Sequence, residues 1–176
     1  MDFDYDVIII GAGPVGGYTA RLLCERGLSV LMVEEHNEVG RPFQCAGLVT
    51  PSAMDAVEAY DTVVADVDGA LIHGPSGTLV PVGREGELRT YVVCRKRFDQ
   101  TVVQQGLEAG SDILLESQPI SADVQEDGVE IFGKLNFWEN RASLVVQVIN
   151  IRPTISTVLR QFEAVRTLLF KEGLID

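Results

Sequence analysis

The chain is short of the residues that most often announce a function. Among 176 residues it has three cysteines (Cys24, Cys45 and Cys94), two histidines (His36 and His73) and one tryptophan. An odd number of widely spaced cysteines fits neither a disulfide framework nor a zinc pattern, so a reducing compartment is expected and a metal centre is not. Basic residues are outnumbered by acidic ones, 14 to 26, giving a formal charge of −12. The summed field repels phosphates and argues against broad affinity for nucleic acid or anionic lipid. Long apolar runs are missing too. Val7 to Ile10 and Leu144 to Val148 are strand-length, far below the ~18 to 20 residues that span a bilayer. The opening Met1-Asp2-Phe3-Asp4-Tyr5-Asp6 lacks the positive flank and apolar centre of a secretion signal, so a cytoplasmic location is expected. What remains is 46% hydrophobic and 23% charged, in a length close to one domain, and that is the make-up of a folded globular protein.

The densest information lies at the start. Tyr5 to Ile10 is a short β-branched run, followed by Gly11-Ala12-Gly13-Pro14-Val15-Gly16 and then a helical pattern through Ala20, Leu22 and Leu23. Glycines at the first, third and sixth places of a strand-turn-helix form a dinucleotide fingerprint. Gly11 permits the tight turn, Gly13 lets the backbone approach a pyrophosphate, and Gly16 lets the helix pack on the sheet. The phosphates then meet the positive end of the helix. Gly27 closes that helix, and Leu28 to Val33 read as a second strand ending at Glu34, about 20 residues past the glycines. Glu34 is placed to hydrogen-bond the ribose hydroxyls, with Glu35 in reserve. An acid there disfavours a ribose carrying a 2′-phosphate, which argues against NADP and leaves FAD and NAD open.

Three segments resemble FAD-dependent oxidoreductases of the hydroxylase and geranylgeranyl reductase type. The first runs from Tyr5-Asp6-Val7 through the glycine turn, with Pro14 after its second glycine, to Val33-Glu34. The second, Gly40-Arg41-Pro42-Phe43-Gln44-Cys45-Ala46-Gly47-Leu48-Val49, looks more specifically like the loop that lies near the flavin in geranylgeranyl reductases. The third, Cys94-Arg95-Lys96-Arg97-Phe98-Asp99, resembles the segment that opens a helix in these flavoproteins, with Arg95 at the place of the flavin-contacting arginine. Between the second and third, Val63 to Val82 with its Gly-Pro and Gly-Thr turns reads as strands of a substrate lobe. The resemblance implies FAD, held by Gly11, Gly13, Pro14, Val15, Gly16, Glu34, Glu35, Gln44, Cys45, Ala46 and Arg95. It also implies hydride delivery from reduced flavin to an isoprenoid carbon-carbon double bond. Cys45 is the candidate catalytic residue. The residues also fit simpler roles, Cys45 as a small loop residue and Arg95 as a helix-surface partner. His36 and His73 read as structural or solvent-facing.

The later sequence departs from that pattern. Flavoproteins of this type carry a strand ending in a segment like Gly-Ala-Asp-Gly that binds the ribityl chain and pyrophosphate, and no such segment stands here. Asp127-Gly128 reads as a hairpin turn between Val124 and Val129. The family likeness is expected to stop near Gly133. From there to Ile151 two strands joined by a polar turn are expected. A helix opened by Pro153 and Thr154 follows, with Ile155, Val158, Leu159, Phe162, Val165, Leu168 and Leu169 on one face. Residues 129–176 resemble the end of the OB-fold domain of the exonuclease VII large subunit. That likeness implies single-stranded nucleic-acid contacts by Phe137, Trp138, Arg141 and Arg152. Core packing in a β-meander is the competing role for Phe137 and Trp138.

The sequence therefore predicts an α/β protein. A Rossmann-like FAD-binding βαβ unit with added strands occupies residues 1–132, and a β-hairpin with an amphipathic helix occupies 133–176. The expected partners are an isoprenoid or other apolar small molecule, an external electron donor and a peripheral contact with a membrane, rather than nucleic acid. The alternatives are a nucleic-acid-binding module and an NAD-binding fold without chemistry.

Overall fold

A computed structural model describes residues 4–42, 45–124, 128–134 and 139–147. Strand β1 (Tyr5–Ile10) leads through the glycine turn into helix α1 (Pro14–Cys24) and back to strand β2 (Val30–Val33). β1 and β2 pair in parallel, Val7 opposite Val30 and Ile10 opposite Val33. The continuous apolar run of β1 has a physical reason: it is covered on both faces. Val7 and Ile9 face α1 in a core with Ala20, Leu23, Met32 and Val103, while Ile8 faces the other way with Leu31, Val33 and Ile131. Ile8, Ile9 and Met32 are fully buried, each worth about 1.5 to 3 kcal/mol of transfer free energy.

A second layer lies downstream. A short strand β3 (Leu48–Val49), helix α2 (Pro51–Val57), capped by Thr50 Oγ1 accepting from the Ala53 N–H, and strand β4 (Val63–Val67) follow in order. Next come the hairpin β5 (Gly69–His73) and β6 (Leu79–Gly83), then β7 (Thr90–Val93), which pairs antiparallel with both β3 and β4. The hairpin leaves Leu71, Ile72, Leu79, Val80 and Val82 exposed. β7 runs directly into helix α3 (Arg95–Glu108), which lies against α1.

Gly17 sets how closely those two helices approach. A Cβ there would sit 2.7 Å from Val103 Cα and 2.8 Å from Val102 O, closer than carbon atoms can come without displacing backbone. Arg21 ties the same helices together, donating 2.9 Å bonds to Gln105 Oε1 on α3 and to the Ala56 carbonyl of α2.

After α3 the chain returns through β8 (Asp112–Leu114), β9 (Gln118–Val124), β10 (Val129–Lys134) and β11 (Glu139–Gln147). With β1 and β2 these form one six-stranded sheet in the order β8-β2-β1-β11-β10-β9. β9, β10 and β11 are an antiparallel meander, and the hairpin expected between Val124 and Val129 is its β9–β10 pair. β11 then runs parallel to β1, with Tyr5 opposite Ala142 and Ile10 opposite Gln147. The expected pair of tail strands is thus the end of β10 and β11, and the chain on both sides of residue 133 contributes to the sheet that carries the glycine turn. The expected helix after Pro153, together with Gln44, Phe137, Trp138 and Arg152, lies outside the described residues. So does the Asp127 half of the hairpin turn.

A staple holds β1 to the approach of β2. Asp6 Oδ2 accepts from the Ser29 N–H at 2.8 Å and from Ser29 Oγ at 2.7 Å, while the Asp6 N–H donates to Ser29 Oγ. These bonds hold the Asp6 carboxyl below its ordinary value. A depressed folded-state value gives stability that is fully present above the ordinary carboxylate range and is lost as pH falls through the folded value. Urea unfolding at about pH 6 and about pH 3 should therefore show Asp6→Asn less stable than the parent at the higher pH, with the gap closing at the lower. Gly17→Ala should cost about 2 kcal/mol in the same assay, the overpacking penalty of a well-filled core.

Candidate dinucleotide-binding site

The turn after β1 is built as a cradle. Gly11 N–H donates to the Val33 carbonyl at 2.8 Å, fixing the turn to the end of β2. A Cβ on Gly16 would lie 2.1 Å from the Gly11 carbonyl oxygen, so the first turn of α1 rests directly on the loop before it. Gly13 is the N-cap, no side chain caps the helix, and no acid stands in its first turn. A Cβ on Gly13 would meet nothing within 4 Å. The helix end thus opens onto free space and points its positive pole there. Val15, an apolar side chain on that first turn, is 45% exposed.

Glu34 closes the cradle from the side. Its Oε2 accepts from the Ala12 N–H at 3.0 Å, and its Oε1 accepts from the His36 N–H at 3.1 Å and the ring Nδ1–H at 2.6 Å. Its side chain is 14% exposed. Glu35 is turned outward, where Gln118 Nε2 donates to it at 3.2 Å. Between the two acids, only Glu34 reaches the glycine turn.

The loop from Gly40 to Gly47 is pinned at both ends. Gly47 has φ +77°, its carbonyl accepts from the Val93 N–H at 2.8 Å, and a Cβ on it would come 2.6 Å from the Val93 carbonyl oxygen. Gly40, at φ +82°, packs against the backbone of Lys96. Both ends thus dock on the junction of β7 and α3, where Arg95 is the first helical residue. Lys96 adds an ion pair to Glu38 just before the loop.

Arg95 Nε pairs with Asp99 Oδ1 one turn along at 2.5 Å, and the guanidinium also interacts electrostatically with the Cys45 side chain. Burial by itself would lower the Arg95 value, but Asp99 and Cys45 outweigh it and the net shift is upward. Asp99 is buried, and burial raises its carboxyl; nearby Glu34 pushes in the same direction while Arg95 opposes it. The pair belongs together: desolvation penalises the charge on both members, and the aspartate feels it more.

The structure thus brings the glycine turn, Glu34, Asp99 and Arg95 to one region, with Cys45 beside Arg95. Pro14 is at the first position of α1, Ala46 and Cys45 are exposed in their loop, and His73 is exposed on β5. His36, expected to be structural or solvent-facing, is part-exposed with its ring bonded to Glu34. Its place two residues after the acid was the available signal. Asp99 was visible only as part of a motif.

A parallel βαβ unit with a glycine turn on an uncapped helix end and a carboxylate beside it defines a dinucleotide-binding protein of the Rossmann type. Residues 4–168 match the FAD binding domain family, and the chain belongs to it. Its cofactor is FAD, and the cradle fits it: free space at Gly13, a bare helix end for the pyrophosphate, and a carboxylate for a ribose.

Among relatives, digeranylgeranylglycerophospholipid reductase of Methanosarcina acetivorans is 33% identical over 150 residues, covering 81% of this chain and 37% of that protein. The enzyme of the same name from Methanosphaerula palustris is 38% identical over 132 residues, covering 73% and 33%. The chain therefore spans about a third of the length of these relatives. A geranylgeranyl bacteriochlorophyll reductase-like protein from Thermoplasma acidophilum superposes with TM-score 0.74 at 27% identity, over 81% of this chain and 38% of the other. A halogenase solved with phloroglucinol and FAD shares the fold alone, at TM-score 0.66 and 20% identity.

The family match corrects the expectation that likeness ends near Gly133. It runs to residue 168, across the stretch compared with an exonuclease OB-fold, and the described strands there, β10 and β11, are part of the sheet that carries the cradle.

If Glu34 rather than Glu35 holds the ribose, calorimetric titration with ADP should show Glu34→Gln weakened on the order of tenfold. Glu35→Gln should stay within about twofold, because its side chain points away from the turn.

Proposed function

We propose that this chain is the FAD-binding part of an oxidoreductase that reduces carbon-carbon double bonds of an isoprenoid lipid. The reading rests above all on the likeness to reductases named for geranylgeranyl lipids. When bound and reduced, FAD supplies a hydride. The chain's own residues do the rest. The α1 end and Gly13 hold the pyrophosphate, Glu34 fixes the adenosine ribose, and Arg95, locked by Asp99, stands toward the flavin end.

Cys45 is the residue we assign nearest the reaction, because its loop is pinned against the start of α3 and its side chain interacts with Arg95. Gln44 and Ala46 flank it as cofactor contacts. An isoprenoid offers no hydrogen-bonding groups along its length, and the exposed Leu71, Ile72, Leu79, Val80 and Val82 of the β5–β6 hairpin are surface of the matching kind.

The reaction needs an external electron donor, and a lipid substrate brings the protein to a membrane surface from the cytoplasm. No helix among the described residues is long and apolar enough to cross a membrane.

The purified chain mixed with FAD and desalted should keep the yellow flavin absorption, and FAD should raise its melting temperature where NAD does not. A colourless protein would overturn the reading. The loaded chain should bind a geranylgeranyl lipid, read as a change in its flavin fluorescence. No binding with retained flavin would overturn the isoprenoid assignment and leave the FAD site standing.

A further inference from the structure

His36 has no part in the reading above, yet its geometry is that of a clamp. The Glu34 carboxylate can only accept, so the imidazole Nδ1 at 2.6 Å carries the proton and donates it. The main-chain N–H of the same residue donates to the same oxygen at 3.1 Å. Oε1 thus has two donors and both of its acceptor positions are used. Oε2 has one described donor, the Ala12 N–H, and one position to spare.

The free edge of the ring faces Glu35, whose Oε1 lies 3.9 Å from Nε2, too far for a hydrogen bond, and whose other oxygen is held by Gln118. The backbone is held independently of the ring. Glu34 N–H donates to the Leu114 carbonyl, Ser117 N–H to the Glu34 carbonyl, and Glu116 N–H to the His36 carbonyl, at 2.8, 2.9 and 3.1 Å. The ring is 37% exposed, so no core depends on it.

We propose that His36 is a positioning residue: by saturating Oε1 it stops the Glu34 carboxylate from rotating and aims the remaining acceptor position of Oε2 at one ribose hydroxyl of the bound nucleotide. A carboxylate without the clamp keeps its charge but spreads its direction over several rotamers, and a hydrogen bond with a fixed partner weakens accordingly. The inference rests on the proposed adenosine-ribose role of Glu34 and adds to it the residue that sets the direction.

The test uses the full chain and three probes: ADP, 2′-deoxy-ADP and 3′-deoxy-ADP, titrated by calorimetry. The parent should bind ADP more tightly than one of the two deoxy analogues. In His36→Ala, ADP affinity should fall on the order of tenfold while affinity for that analogue stays within about twofold, so that the preference disappears. His36→Asn, whose side-chain amide can donate in place of Nδ1, should restore it.

Equal weakening toward all three ligands would mean a merely structural histidine and would overturn the inference. An undiminished preference in His36→Ala, or a failure of His36→Asn to rescue, would do the same while leaving the Glu34 reading intact. A parent chain that binds ADP without preference, or not at all, would remove the ribose contact itself and the inference with it.

Discussion

The close seating of α1 is the constraint on which the rest of the structure depends. Two successive glycines make it possible. Gly16 lies on the Gly11 carbonyl and Gly17 on the backbone of Val102 and Val103, each nearer than any side chain would allow. The first contact puts the helix end over the strand end, which makes the anion cradle. The second brings α3 against α1, and because β7 runs straight into α3, it also decides where Arg95 stands. A single steric fact thus links the glycine turn to Arg95.

Electrostatics follow from that placement. Glu34 and Asp99 come near enough to raise the Asp99 carboxyl, and Arg95 is bound into the same buried set. In water such a group of charges would be worth little. Half-buried, it is directional, since each member lacks solvent to turn toward. The acidic chain, at −12 overall, still presents the positive potential of an uncapped helix end at the glycine turn.

The sheet shows why local reading went astray after Gly133. Leu144 to Val148 is legible as an apolar run, and Asp127-Gly128 as a hairpin turn. A strand does not carry in its own residues the identity of its neighbour. β11 packs parallel to β1, more than 130 residues away in sequence, and that pairing makes the tail part of the same sheet as the glycine turn. Short strand motifs resemble those of a barrel because any twisted strand pair draws on the same apolar and aromatic residues.

The βαβ unit, the glycine turn and the acid at the end of β2 are legible in the residues themselves, and the helix at Arg95 in the family likeness of its opening segment. Those features are local: strand period, helix capping and conformational freedom at glycine act over a few residues and leave a readable pattern. Which of Glu34 and Glu35 reaches the turn, that Cys45 lies by Arg95, that His36 grips Glu34 and that β11 lies against β1 come from the folded arrangement. Each of these is a contact between chain segments, or a choice between neighbouring side chains made by packing. Such choices are fixed when the helices and sheet close on one another, and not before.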